Sequence, residues 1–424
     1  LSLSLTVPDS PSVTVCATAA ATALCVDDDD DDNSADSQRL QEKQAQDGQM
    51  QVIEAVRGTH TRSETKLPNV VAALRGLVGL LGTFLPLGPR HMELVQALLS
   101  SADLVFCTLC VAGSHVVRTM KPVEVLVVDE AAQAVEPEVL IPLMLSPKRL
   151  LLAGDPQQLG ATICSQAADK AGLGRPLLAR LMVDCQRPAS LLSVQYRMHP
   201  EISSFPNARF YGGKLCNAPC VSEAAAPWCE GIDPENRSTG GVEWLGPCAF
   251  IDIGSGSGRG GGCNEAVDAS GSRCSQLEAA VVAWLCSHLQ KRWGVDVTDP
   301  NQLRILTFYS AQVRSIKMAL PAPLRCTATT PRGAGGGTSV HTVDGSQGAE
   351  SDVVLLSFVR SNARGSIGFV SEPRRLNVAL TRARKSLVMV GDAATLAKDS
   401  GDVGALLADL RARKLVFPVS ALGM

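Results

Sequence analysis

Two neighbouring carboxylates stand at the end of one of the most apolar stretches of the chain. Val125–Val128 lead directly into Asp129 and Glu130, and the helix-like stretch AAQAVEPEVLIPL follows. At the end of a strand, one carboxylate can hold Mg²⁺ while its neighbour accepts a proton from an attacking water. The same two acids could instead open a helix, because negative charge is favoured at a helix N-terminus. These residues alone leave both interpretations open.

The next apolar stretch also ends on polar residues. In LLLAGDPQQL, residues 150–159, Gly154 permits a close approach of two backbones, and Gln158 can contact a phosphate or an attacking water. In an open α/β sheet, ligands bind at the carboxyl ends of the strands. Two such polar turns in succession therefore favour a nucleotide-hydrolysing site over an isolated helix start.

Arginines recur later in the chain in settings that suit phosphate binding. A guanidinium stays charged at any working pH and offers several donors to phosphate oxygens. Arg375 and Arg382 are seven residues apart in a predicted helix over residues 373–384, which places both on one helix face. A solvated surface is the alternative for such a helix. Tyr196, one of only three tyrosines in the chain, lies beside Arg197 and could be a core aromatic.

The elements that position these residues are apolar strands alternating with helices. This order predicts the fold class α/β, with parallel sheets buried on both faces. It also predicts two domains. Residues 67–188 form the first, with residues 1–66 as its degenerate, low-complexity N-terminal part that contains Asp27–Asp32, and residues 189–424 form the second. Loops rich in Gly, Ser and Pro are predicted at residues 216–240, 254–273 and 327–337.

Composition narrows the class of protein without identifying it. No apolar run approaches the roughly 20 residues that a membrane span needs, so no membrane partner is expected. The net charge of −3 neither requires nor excludes a nucleic-acid partner. The 14 cysteines in a long, core-rich chain indicate a reduced intracellular protein of cytoplasm or nucleus rather than a disulfide scaffold.

Five ordered segments resemble the motifs of superfamily 1 helicases. They are VVDEAAQA, LAGDPQQL, VQYRMHPEISSFPNARFYGGKL, VHTVDGSQGAESDVVLLSFVR and RRLNVALTRARKSLVMVGD. The resemblance is strongest to the group that contains the nonsense-mediated-decay helicase and senataxin-like proteins. It covers roughly residues 100–395, and five motifs in the family's order make chance similarity very improbable.

The resemblance implies two RecA-like domains of the P-loop NTPase type, with ATP and Mg²⁺ bound between them. It also implies a single-stranded RNA or DNA partner, with RNA slightly favoured; protein partners stay unknown. By this resemblance, Asp129 would hold Mg²⁺ and Glu130 would be the catalytic base. Gln158, Arg197 and Arg382 would contact the γ-phosphate. Tyr196 would stack on the adenine, Gly348 would line the nucleotide and Glu350 would contact the ribose. Thr108 and Thr342 match positions that touch the nucleic-acid backbone.

One expected motif is missing from the sequence. No G-x-x-x-x-G-K-[ST] stretch occurs in the 424 residues, so the backbone donors and lysine of a P-loop are not encoded here. VTVCATAAATAL, residues 13–24, faintly resembles the motif that follows the P-loop in relatives, which predicts a P-loop upstream of Leu1. Two functions stay open: an active ATP-dependent helicase, or a truncated or inactive pseudo-helicase that binds nucleic acid without turnover.

Overall fold

A computed structural model describes residues 14–18, 90–223, 246–254, 265–324 and 337–423. The chain divides into a first unit, Leu1–Pro156 with Gly160–Ala189, and a second unit, Gln157–Leu159 with Ser190–Met424. Apart from residues 14–18, the predicted low-complexity segment lies outside the described residues, as does most of the predicted loop at 327–337. The loops predicted at 216–240 and 254–273 are described only in part.

The first unit is built on a parallel sheet with the strand order β2-β1-β3-β4. Its strands are β1 Thr14–Thr18, β2 Leu104–Thr108, β3 Val125–Asp129 and β4 Arg149–Leu152. Its helices are α1 Arg90–Ser101, α2 Leu109–Ala112, α3 His115–Arg118, α4 Glu136–Leu143, α5 Gln166–Lys170 and α6 Leu177–Val183. Thr18 is in register with both Thr108 and Asp129, so these three residues share the carboxyl edge of the sheet.

The second unit has a six-stranded parallel sheet with the order β11-β10-β12-β13-β7-β14. Its strands are β7 Cys248–Asp252, β10 Leu303–Thr307, β11 Ser339–Thr342, β12 Ser351–Ser357, β13 Ala383–Gly391 and β14 Val416–Pro418. Two pairs of short strands lie outside this sheet, β5 Val194–Gln195 with β6 Cys216–Asn217 and β8 Ala266–Val267 with β9 Arg273–Cys274.

Helices and short 3₁₀ turns accompany the second sheet. The helices are α7 Pro200–Phe210, α8 Pro219–Glu223, α9 Gln276–Trp293, α10 Ser310–Ala319, α11 Pro373–Leu380, α12 Ala393–Leu396 and α13 Asp402–Ala412. The 3₁₀ turns are Ala322–Leu324, Asp344–Ser346, Gly368–Ser371 and Val419–Leu422. Two separate hydrophobic clusters cover the sheet, one containing Phe250 and Leu356 and the other Ile251 and Leu355.

The predicted fold class, α/β with parallel sheets, is confirmed. Two details differ from the prediction. β4 is an edge strand, and its Leu150 and Leu151 are 38% and 43% exposed rather than buried. The helix predicted over residues 373–384 ends at Leu380, because Ala383 already pairs with Ser351 in the sheet. Within the described residues, no helix is both long and apolar enough to cross a membrane.

Candidate nucleotide site and nucleic-acid contacts

The predicted catalytic acids lie in a tight turn at the carboxyl edge of the first sheet, here called the acid turn (residues 129–133). Asp129 ends β3, is exposed, and its Oδ1 accepts the backbone N–H of Glu130 at 2.9 Å. Glu130 has a φ of +53°, a left-handed conformation that non-glycine residues rarely adopt. Helix α4 begins only at Glu136, so these acids do not open a helix and that alternative is wrong.

The acid turn is held by neutral contacts. The Gln133 side-chain amide donates to Glu130 Oε2 at 2.6 Å, and Ala131 N–H donates to the Ala153 carbonyl at 2.8 Å. Among the described residues, neither Asp129 nor Glu130 has a cationic partner. Carboxylate oxygens are the ligands that Mg²⁺ prefers, and two unneutralised ones at a strand end fit that ion.

Gly154 lets the end of β4 approach the acid turn. A Cβ at this position would lie 2.8 Å from the backbone N of Ala132 and 3.0 Å from that of Ala131. Both atoms belong to backbone and cannot yield as a flexible side chain would. A larger residue at 154 would therefore push the end of β4 away from the acid turn.

Gln158 and Arg382 contact each other within the second unit. Arg382 Nη2 donates to Gln158 Oε1 at 3.3 Å, so two residues with predicted γ-phosphate roles are adjacent. Arg382 is only 1% exposed. Its other donors reach the Val378 carbonyl, the Thr381 hydroxyl and the Ala349 carbonyl at 3.0, 3.0 and 3.5 Å. Since α11 ends before Arg382, the prediction that Arg375 and Arg382 share one helix face is wrong.

Arg197 is oriented by an acid that the resemblance places at the ribose. Its Nε pairs with Glu350 Oε2 and its Nη1 donates to the Thr381 carbonyl at 3.2 Å. Arg384 Nη1 reaches the other Glu350 oxygen at 3.3 Å. Partial burial opposes ionisation of Glu350, but the charges and hydrogen bonds of Arg197 and Arg384 outweigh it and hold its pKa below the usual value. Glu350 therefore positions Arg197.

Tyr196 and Gly348 flank this group of residues in the sequence motifs. Tyr196 is 71% exposed, so the alternative of a core aromatic is wrong. Gly348 has a φ of +74°, and no atom lies within 4 Å of an ideal Cβ there. Backbone conformation, not lack of space, is what favours glycine at this position.

The two threonines predicted to touch nucleic acid occupy equivalent places in the two units. Each is the last residue of an edge strand, Thr108 of β2 and Thr342 of β11. Thr108 Oγ1 accepts the Val111 N–H and Thr342 Oγ1 accepts the Gly345 N–H, both at 3.3 Å. Each hydroxyl thus shapes the turn that follows its strand at the carboxyl edge of the sheet.

Sequence reasoning missed a buried carboxyl group at the same edge of the second sheet. Glu278 is fully buried and accepts the Ser357 hydroxyl (2.6 Å) and the Val359 N–H (2.9 Å). Burial raises its pKa to about 8. The only sequence signal is SQLE, residues 275–278, which indicates a capping box. In the structure, the Ser275 N–H donates to Gln312 instead (2.8 Å), and the carboxyl group turns into the core.

Parallel α/β units that carry acids, amides and arginines at the carboxyl ends of their strands are typical of nucleotide-binding proteins. Family models described as "AAA domain" match residues 16–166 and 173–394, and the second alone covers more than half of the chain.

Three curated relatives narrow the class. "Probable helicase MAGATAMA 3" of Arabidopsis thaliana is 34% identical over 86% of this chain and 42% of its own length. The "Regulator of nonsense transcripts 1 homolog" of Neurospora crassa is 38% identical over 72% of this chain and 25% of its own. "ATP-dependent helicase upf1" of Schizosaccharomyces pombe is 34% identical over 72% of this chain and 30% of its own.

The chain belongs to the AAA-domain family, in the superfamily 1 helicase group that contains the regulators of nonsense transcripts and the senataxin-like helicases. It spans less than half the length of these curated relatives.

Proposed function

We propose that the protein is an ATP-dependent helicase that hydrolyses ATP with Mg²⁺ when single-stranded nucleic acid is bound, with RNA slightly favoured over DNA. The observation that carries this proposal is the acid turn, where Asp129 and Glu130 have no cationic partner among the described residues. The names of two relatives, an ATP-dependent helicase and a regulator of nonsense transcripts, support the nucleotide and the preference for RNA.

In the proposed reaction, water attacks the γ-phosphorus of ATP and the bond to the ADP oxygen breaks. Glu130 accepts the proton of the attacking water through a carboxylate oxygen. Asp129 would hold Mg²⁺, which neutralises part of the phosphate charge when bound. Gln158 would orient the water or the γ-phosphate, and its hydrogen bond with Arg382 keeps the two side chains next to each other.

The arginines would stabilise the charge that develops on the γ-phosphate. Arg197 is prepared for this role, because Glu350 and the Thr381 carbonyl hold Nε and Nη1 while Nη2 has no partner among the described residues. Tyr196 would supply an exposed ring for the adenine, and Gly348 would line the nucleotide. Glu350 would reach the ribose with Oε1, the oxygen that Arg384 Nη1 also contacts at 3.3 Å.

A second candidate is a nucleic-acid-binding module without turnover, and the absence of G-x-x-x-x-G-K-[ST] from these 424 residues favours it. Measuring ATP hydrolysis with and without Mg²⁺ and oligouridine separates the candidates. Mg²⁺-dependent hydrolysis that rises with oligouridine supports the helicase. Tight oligouridine binding with no hydrolysis, both for this chain and for a longer product of the same gene, supports the module.

We also propose an intracellular location, in the cytoplasm or the nucleus. No disulfide bond joins the nine cysteines whose side chains the structure describes. Cysteines that form no disulfide bonds, in this number, are typical of a reducing compartment.

A further inference from the structure

Phe369 is an exposed aromatic ring between buried neighbours. It lies in the 3₁₀ turn Gly368–Ser371 and is 46% exposed, while Ile367 and Val370 are 5% and 0% exposed. Those two neighbours anchor the turn in the core. The Phe369 ring is therefore not required to fill the interior.

The ring is held in place although much of it is exposed. Tyr309, itself 4% exposed, packs against it with ring centroids 4.6 Å apart. The Tyr309 hydroxyl accepts a hydrogen bond from Arg360 Nη1 at 3.4 Å. The guanidinium of Arg375 lies over the Phe369 ring, 5.1 Å from its centroid. A ring fixed in this way loses little conformational entropy when a second flat group stacks on it.

Contacts of Arg375 connect Phe369 to the strand end where Thr342 lies. Arg375 Nε donates to Asp344 Oδ1 at 2.8 Å, in the 3₁₀ turn that directly follows β11. The Thr342 hydroxyl accepts the Gly345 N–H of the same turn. Phe369 thus belongs to the carboxyl edge of the second sheet, beside the threonine proposed to touch the nucleic-acid backbone.

The segment around Phe369 is rich in arginine. Residues 360–375 contain four arginines and a single acid, Glu372, and two of the arginines are paired outside the segment, Arg360 with Glu265 and Arg375 with Asp344. Arg364 and Arg374 are exposed and have no ion-pair partner among the described residues. Exposed arginines beside an exposed ring combine attraction for phosphates with a surface for base stacking, which is the pattern of single-strand binding sites.

We infer that Phe369 is a platform on which one base of a single-stranded nucleic acid stacks, next to the backbone contact of Thr342. This inference rests on the proposed nucleic-acid binding and adds a residue that touches a base rather than the backbone. Stacking tolerates any base, so Phe369 contributes affinity and position without reading sequence.

The test is the affinity of the full chain for fluorescent oligouridine and for the same strand with abasic residues. Phe369→Ala should weaken oligouridine binding by about fivefold to hundredfold, the range expected for the loss of one stacked base. Phe369→Leu should weaken it to a similar extent, and Phe369→Trp should preserve it because the indole also stacks. All three should bind the abasic strand like the unchanged chain, which excludes a general loss of structure.

Phe106→Ala is the matched control, because Phe106 is 45% exposed but lies within β2, two residues before its end. It should leave the affinity for oligouridine unchanged. Equal affinity of Phe369→Ala and the unchanged chain for oligouridine would overturn the stacking role alone. Equal losses on both strands, or an equal loss in Phe106→Ala, would also overturn it. An unchanged chain that binds neither strand would overturn the proposed function as well.

Discussion

The acid turn of the first unit and Arg382 of the second differ in how far their side chains are buried and bonded. Asp129 is exposed, and the side-chain hydrogen bonds of Asp129 and Glu130 stay within the acid turn. Arg382 is 1% exposed and bonds to residues 158, 349, 378 and 381. We therefore expect the two acids to be dispensable for folding, whereas Arg382 is part of the interior. Mutations in the two regions should separate chemistry from stability.

The largest combined effect is expected for Arg382→Ala. Hydrolysis should fall by about 10³–10⁵-fold, the usual contribution of an arginine at a transferring phosphoryl group. The unfolding free energy should fall by about 2–4 kcal/mol, because several buried acceptors lose their donor. Steady-state kinetics and denaturant unfolding measure the two effects. An unchanged unfolding free energy in Arg382→Ala would contradict the conclusion that Arg382 helps to hold the interior together.

A smaller effect is expected when pH changes the protonation of Glu278, because this alters the unfolding free energy. The folded state keeps this proton until pH about 8, whereas the unfolded state releases it near the ordinary glutamate pKa of 4.5. The folded state binds more protons between these values, so the unfolding free energy should fall as pH rises, by at most about 1.4 kcal/mol per pH unit. Glu278→Gln should flatten this dependence. The same slope in that variant would assign the effect to another group.

The smallest effects compare two left-handed residues, Glu130 with a φ of +53° and the exposed Lys414 with a φ of +57°. Replacing either by glycine should raise the unfolding free energy by up to about 1 kcal/mol, because glycine adopts this conformation without strain. Only Glu130→Gly should lose hydrolysis. Comparable hydrolysis in the two variants would show that the reaction does not need the Glu130 carboxylate.

The strand ends that carry the site could be predicted because continuous apolar runs define parallel strands. Residues at the ends of neighbouring runs, such as Asp129 and Thr108, then fall at one edge of a sheet. The end of α11 could not be predicted, since the helical pattern continues past Leu380 and only the pairing of Ala383 with the distant Ser351 draws the chain into the sheet. The pairing of Arg197 with Glu350, 153 residues apart, also has no local signal.

The left-handed conformation of Glu130 was equally unpredictable, because no sequence preference places a glutamate there. Glu278 shows the limit of motif reading. Its S-x-x-E pattern was compatible with a surface cap, and only the packing of α9 against β12 turns the carboxyl group inward.

Glu130→Gln is the most direct test that the acid turn serves chemistry and not folding. Hydrolysis of ATP by the active protein, measured with saturating oligouridine and Mg²⁺, should fall by about 10²–10⁴-fold, the contribution of a positioned general base. The unfolding free energy should stay within about 0.5 kcal/mol of the unchanged protein, since the amide keeps the size of the side chain. Unchanged turnover in Glu130→Gln would contradict the account.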